Sequence, residues 1–206
     1  ALARGRHVIL CHQDVRLERD ERCVLDRRLA DLDRRDPTWA LAGNNGGIAP
    51  GQLASCSRDP VGRNRSIGAL PARVMSLDDG FVVVRRDARI GFSNDLSGFH
   101  FYGADICLIA DLMGYSAYVI DFHLTRPDAA PGDPRLAAAE EAFRQKWSRA
   151  LRPRWMQTTR SLLHLSGGRV GRLLGTFAET GLEQLSRRLP HARGWQPRLL
   201  PRLGSR

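Results

Sequence analysis

Lysine is nearly absent from this chain: Lys146 is the only one among 32 basic residues. So strong a preference for arginine fits a GC-rich coding sequence better than selection for guanidinium chemistry, and total charge alone therefore argues weakly for nucleic acid. Long apolar runs are missing too. No stretch reaches the 18 or more apolar residues that a membrane-spanning helix needs. Cysteine is sparse. Cys11, Cys23, Cys56 and Cys107 lie far apart with no CxxC pair. That excludes a small disulfide framework and a cysteine–histidine zinc spacing, and leads us to expect free thiols in a reducing compartment. A P-loop, a Rossmann Gly-x-Gly-x-x-Gly and a Gly-x-Ser-x-Gly nucleophile elbow are all absent. The chain has neither an initiator Met nor a signal-peptide pattern. It opens on Ala1-Leu2-Ala3-Arg4 and enters a strand almost at once, as expected of a fragment or trimmed chain beginning inside a domain. The sequon Asn64-Arg65-Ser66 is expected to be a chance match in a cytoplasmic chain.

What is present supports one domain of about 150 residues plus an appendage. The charge is unevenly placed. Residues 151–206 hold eleven Arg and two Glu, a balance of +9, which leaves +1 of the total +10 for residues 1–150. We therefore expect a globular domain over 1–151 and an Arg-rich tail over 152–206. In that tail Leu162, Leu163, Leu165, Val170, Leu173, Leu174, Phe177, Leu182 and Leu185 follow helical spacing, interrupted by Gly167-Gly168 and Gly175. The end, with Pro190, Pro197 and Pro201, has the composition of a disordered segment. An amphipathic basic helix suits an anionic membrane surface. It lacks the aromatic interleaving of a nucleic-acid binder beyond Trp155 and Trp195, so no specific nucleic acid is expected.

Within the domain, His7–Cys11 is a short apolar run that predicts a buried strand ending on His12-Gln13-Asp14. Residues 20–35 place Val24, Leu25, Leu29 and Leu32 at helical spacing before Pro37. Trp39–Ala42 predicts another strand and Gly43-Asn44-Asn45-Gly46-Gly47 a loop. Asp78-Asp79-Gly80, between two β-prone runs, predicts a hairpin. A helix over Ala104–Met113 with Gly114 at its C-terminal cap, a strand over Tyr115–Phe122 and a helix from Pro134 or Arg135 to about Leu151 complete the pattern. Strands alternating with helices predict an α/β fold with a mostly parallel mixed sheet, whose chemistry collects at strand carboxyl ends.

Three side chains stand at such places, each with two readings. Asp14, at the end of the first strand, suits Mg²⁺ or Mn²⁺; equally, it caps the following turn. His123, ending the strand that carries Asp121, suits a metal beside Asp14, or is a histidine satisfied within the structure. Asp105 opens a helix, where the dipole favours a carboxylate in any case; the functional alternative is a general base. Phe99, Phe101 and Tyr102 offer stacking faces or core packing. Gly43–Gly47 brings backbone N–H groups close to a phosphate, or is a plain turn.

The order of four segments carries a resemblance. Val8–Val15, Trp39–Gly47, Phe99-His100-Phe101-Tyr102-Gly103-Ala104-Asp105 and Tyr118–Leu124 resemble bacterial GT-A-type glycosyltransferases related to glycosyltransferase family 2, over about residues 7–150. The resemblance implies a partial GT-A fold followed by the helical basic tail, and inverting sugar transfer from a nucleotide-sugar donor to a glycan or lipid-linked acceptor in cell-surface polysaccharide or glycoconjugate synthesis. It implies Mn²⁺ or Mg²⁺ as cofactor, held by Asp14 and His123, and Asp105 as catalytic base. Gln13, Gly46 and Gly47 become donor contacts. Trp39, His100, Phe101, Tyr102 and Gly103 become acceptor contacts. The chain departs from the pattern at His12, where relatives carry a second acid, and at Thr125-Arg126, where relatives often carry further histidines. Only six residues precede the first strand, so the nucleotide-binding segment is expected to be missing. The location implied is the cytoplasm, including the inner face of the membrane. The alternatives are a catalytically incomplete fragment or a membrane-surface module acting through its tail.

Overall fold

The computed structural model describes residues 4–17, 20–58, 64–96, 98, 100–125, 134–157 and 162–165. In chain order the elements are β1 (His7–Cys11), α1 (Arg22–Arg35), β2 (Trp39–Gly43), β3 (Asn45–Ala49), β4 (Gln52–Arg58), β5 (Asn64–Ile67), β6 (Ala72–Val74), β7 (Ser76–Leu77), β8 (Phe81–Arg85), α2 (Tyr102–Leu112), β9 (Ser116–Val119), β10 (Leu124–Thr125), α3 (Arg135–Ala150), β11 (Arg154–Gln157) and β12 (Leu162–Leu165). The contacts divide the chain into one unit over residues 1–145 and a second over 146–206.

The first unit holds a central sheet in the order β1-β8-β2-β9-β6. Its strands read as unbroken apolar runs, Phe81-Val82-Val83-Val84 and Trp39-Ala40-Leu41-Ala42, because each face of the sheet is covered by a helix. Side chains alternate between the two faces with the period of a strand, except at the bulge of β2 between Trp39 and Leu41, where Ala40 and Leu41 share a face. Ala40, Leu41, Val82, Val84, Ala117 and Val119 meet Ile106, Cys107 and Ala110 of α2. Trp39, Ala42, Val83, Tyr118 and Ile120 meet Leu25, Leu29 and Leu32 of α1. The spacing that predicts a helix over 20–35 is thus the stripe that packs on the sheet.

A second sheet runs β10-β4-β3-β7, with β5 added on β4. The chain crosses from the central sheet to this one three times. It does so at Asn44, between β2 and β3, at Met75, between β6 and β7, and at Ile120–His123, between β9 and β10. The first and last crossings lie side by side, since the Ile120 N–H donates to the Gly43 carbonyl at 2.9 Å.

The α/β class stands, with mixed sheets, but the expected predominance of parallel pairing does not. Among the described residues only β2 with β9 and β4 with β10 run parallel, and every other pair is antiparallel. The predicted loop at Gly43–Gly47 is corrected to two strands broken only at Asn44. Gly46 is a glycine because β7 approaches closely: a Cβ there would lie 2.3 Å from the Ser76 carbonyl oxygen. The predicted hairpin at Asp78–Gly80 is a turn between sheets, for β7 pairs with β3 whereas β8 pairs with β1 and β2. The tail departs from its helical reading where it is described. Arg154–Gln157 and Leu162–Leu165 pair antiparallel, a short apolar run being equally able to form either element. The rest of the predicted amphipathic tail, residues 166–206, lies outside the described residues.

Candidate metal centre

The last crossing brings together three donors from two segments. Cys56 sits on β4, fully buried, and its backbone is fixed by the buried Asn44. The Cys56 N–H donates to the Asn44 carbonyl at 2.6 Å, and Asn44 Nδ2 donates to the Cys56 carbonyl at 3.3 Å. Asp121 and His123 are two residues apart on the bend between β9 and β10. One donor atom from each of Cys56, Asp121 and His123 lies within 4.8 Å of the others. Cys56 Sγ is 3.5 Å from Asp121 Oδ1, and His123 Nδ1 is 4.0 Å from the same oxygen.

Two further residues hold this group in place. Asp20, on the approach to α1, accepts from the His123 backbone N–H at 2.6 Å and faces its Nδ1 at 3.1 Å. Arg28 of α1 donates from Nε to the Asp121 carbonyl at 3.0 Å and pairs through its guanidinium with Asp121 Oδ2. The imidazole is enclosed, with 12% of its side chain exposed. Burial, and then the charge of Asp121, pushes the Cys56 thiol up to about 12. A thiol so placed is not an activated nucleophile, although cysteine, histidine and acids meet here. A cation among the three side chains would offset both causes.

Arg28 and Asp121 also line a cavity of about 600 Å³ along α1, with Asp31, Arg34, Arg35, Leu70, Pro71 and Ile120. A second cavity of about 310 Å³ lies elsewhere, beside the start of α2. His100, Tyr102, Asp105, Ser93, Cys11 and Leu10 are among its walls.

The predicted site residues are distributed over these places. His123 belongs to the cysteine–acid–histidine group. Asp14 does not: its Oδ1 meets His12 Nδ1 at 2.6 Å in the turn after β1, and Gln13 is exposed in that turn. Asp105, His100 and Tyr102 share the smaller cavity. Asp105 is 1% exposed and accepts the Ser93 N–H at 3.2 Å. Neither Asp14 nor His123 lines that cavity, so the expected convergence of Asp14, Asp105 and His123 is not what the fold assembles. Trp39 is core, fully buried, its indole N–H donating to Asp33 at 2.8 Å. Gly46 and Gly47 pair with β4 and β7. Phe101 and Gly103 build the start of α2, where Asp79 accepts the Phe101 N–H at 2.8 Å and the Gly103 N–H at 2.6 Å. Burial raises the Asp79 carboxyl against the pull of those two bonds. A Cβ on Gly103 would meet the Leu77 carbonyl oxygen at 2.5 Å. Sequence reasoning missed Cys56, Asp20 and Arg28. The Asp121-x-His123 spacing was the available signal, but its partner in space lies 65 residues from Asp121.

No protein-family model matches the chain. The chain is similar to a protein of Fuscovulum blasticum named ATP synthase subunits region ORF 6, with 36% identity over 172 residues, 80% of this chain and 69% of that one. This relationship overturns the glycosyltransferase resemblance and, with it, the sugar transfer, the enzyme class and the cell-surface glycan synthesis it implied. Nothing in the match points to a glycosyltransferase, and the relative's name states no reaction. Among the described residues no helix is long and apolar enough to cross a membrane.

Proposed function

We propose that this chain, which belongs to the family of the Fuscovulum blasticum protein ATP synthase subunits region ORF 6, binds a divalent transition-metal ion through Cys56, Asp121 and His123. The observation that carries the reading is the meeting of a sulfur, an oxygen and a nitrogen donor within 4.8 Å at one bend of the chain. Neighbouring ligands of a tetrahedral zinc ion are roughly 3.3–3.7 Å apart, given its usual bond lengths. The two separations at Asp121 Oδ1, 3.5 and 4.0 Å, need little adjustment to reach that.

The donor set favours the ion. Carboxylate and water sites suit Mg²⁺ and Mn²⁺, the ions expected from the sequence, whereas a thiolate with an imidazole suits Zn²⁺. Three protein ligands leave a fourth position for water or a ligand. Asp20 fixes His123 through the backbone N–H, and Arg28 holds Asp121; metal sites depend on such partners. Binding expels the Cys56 proton, as any thiol–metal site must.

The test is isothermal titration of the metal-free chain with ZnCl₂. Saturation at one ion per chain is expected, with that heat lost in His123→Ala and kept in Asp14→Asn. Equal zinc binding by wild type and His123→Ala would sink the assignment.

A further inference from the structure

The cavity of about 600 Å³ along α1 is more than space beside a metal site. Arg28, Asp31 and Arg35 recur at helical spacing and form one stripe of α1. Arg34 and Arg35 occupy the last turn, where the helix dipole favours cations. That accounts for two arginines at a helix end, but not for a concave space with three guanidinium groups on one side. Leu70, Pro71 and Ile120 give the same space an apolar wall.

The three cations are committed unequally. Arg28 is held by Asp121, and Arg34 pairs with Asp31 on its own helix. The Arg35 guanidinium makes no hydrogen bond or ion pair among the described residues. Three arginines against Asp31 and Asp121 leave the lining with one net positive charge. Guanidinium forks match the oxygens of phosphate, and bonds of this charge-assisted kind are the strong ones. The volume far exceeds a bare phosphate, and the apolar wall suits a small hydrocarbon or ring attached to it.

We propose that this cavity binds a small phosphate monoester, its phosphate on Arg34 and Arg35 and its organic part against Leu70 and Pro71. The site adjoins the metal centre proposed above through Asp121, which serves both. A divalent ion that displaces one thiol proton adds one net positive charge beside the cavity, so metal and phosphate each tighten the other's binding. Only this linkage rests on the metal reading; the arginine site itself does not.

The experiment is calorimetric titration of the full chain with phenyl phosphate and, separately, with inorganic phosphate. Each titration uses metal-free and zinc-treated protein, and the thermal midpoint serves as a fold control. Phenyl phosphate is expected to bind metal-free protein and to bind zinc-treated protein severalfold more tightly. The double variant Arg34→Ala/Arg35→Ala, with an unchanged midpoint, is expected to lose on the order of tenfold or more in phenyl phosphate affinity, as loss of hydrogen bonds to a charged group implies. Undiminished binding by that variant, or none by wild type, overturns the site. Inorganic phosphate binding as tightly as phenyl phosphate overturns the monoester assignment. Absence of zinc heat overturns the metal reading alone, for metal-free protein is still expected to bind phenyl phosphate in an arginine-dependent way.

Discussion

Asp105 and Asp121 look alike in the sequence: each stands among aromatic residues where a strand or helix meets a bend. The fold treats them differently. Asp105 is 1% exposed, set into the start of α2 and satisfied by a backbone donor from Ser93. Asp121 has 39% of its side chain exposed and meets three chemically different groups at once: a thiol, an imidazole and a guanidinium. A buried carboxylate among backbone donors is what a helix start ordinarily needs. Asp121 ties α1 to the bend through Arg28, but that ion pair does not need the sulfur and nitrogen donors on its other oxygen. Under the metal reading proposed above, the contrast separates a carboxylate held by the backbone from one placed for an ion.

Substitutions can break that contrast. The largest effect is expected from Cys56→Ser, which should weaken zinc binding by at least about a hundredfold, the upper end of what even outer partners cost; titration of the variant checks it. Asp105→Ala comes next and in a different quantity. It leaves the Ser93 N–H without its acceptor, so a loss of about 1–3 kcal/mol in denaturant unfolding is expected, with zinc affinity unchanged. A drop in zinc affinity for Asp105→Ala would erase the distinction between the two carboxylates. Asp20→Asn is expected to cost roughly tenfold in zinc affinity, since it only orients His123.

The smallest effect concerns Asp36, a carboxylate apart from both of these sites. Burial raises its pKa, but hydrogen bonds from Thr38, Ser116 and Tyr118 outweigh this and hold it at about 2, against 3.8 ordinarily. A depressed carboxyl contributes stability that is fully present above 3.8 and is lost as pH falls through about 2. Acid unfolding of Asp36→Asn should therefore depend less on pH across that window than the wild type does. Identical profiles would contradict it.

Much of the central sheet was legible. The apolar runs at Trp39–Ala42 and Phe81–Val84 are strands, and the stripe of Leu25, Leu29 and Leu32 is the face α1 buries. Strand direction was not legible, because a strand buried on both faces has the same sequence in parallel and antiparallel pairs. Gly46 reads as loop from composition, and only the approach of Ser76 explains it as strand. Of the candidate site, His123 could be found from its place after a strand. Cys56 could not, since Ala54 and Cys56 are simply the inward residues of β4. Asp20 was hidden in a charged run. With donors drawn from two segments far apart in the chain, only the Asp121-x-His123 pair left a spacing to read.

The central claim is that Cys56 is a metal ligand, and cobalt tests it most directly. In a Cys11→Ser/Cys23→Ser background, which removes the two exposed thiols, titration with Co²⁺ is predicted to produce a sulfur-to-cobalt charge-transfer band in the near ultraviolet that saturates at one ion per chain, and further substitution of Cys56→Ser should abolish it. No band, or a band that survives the loss of Cys56, would contradict the account.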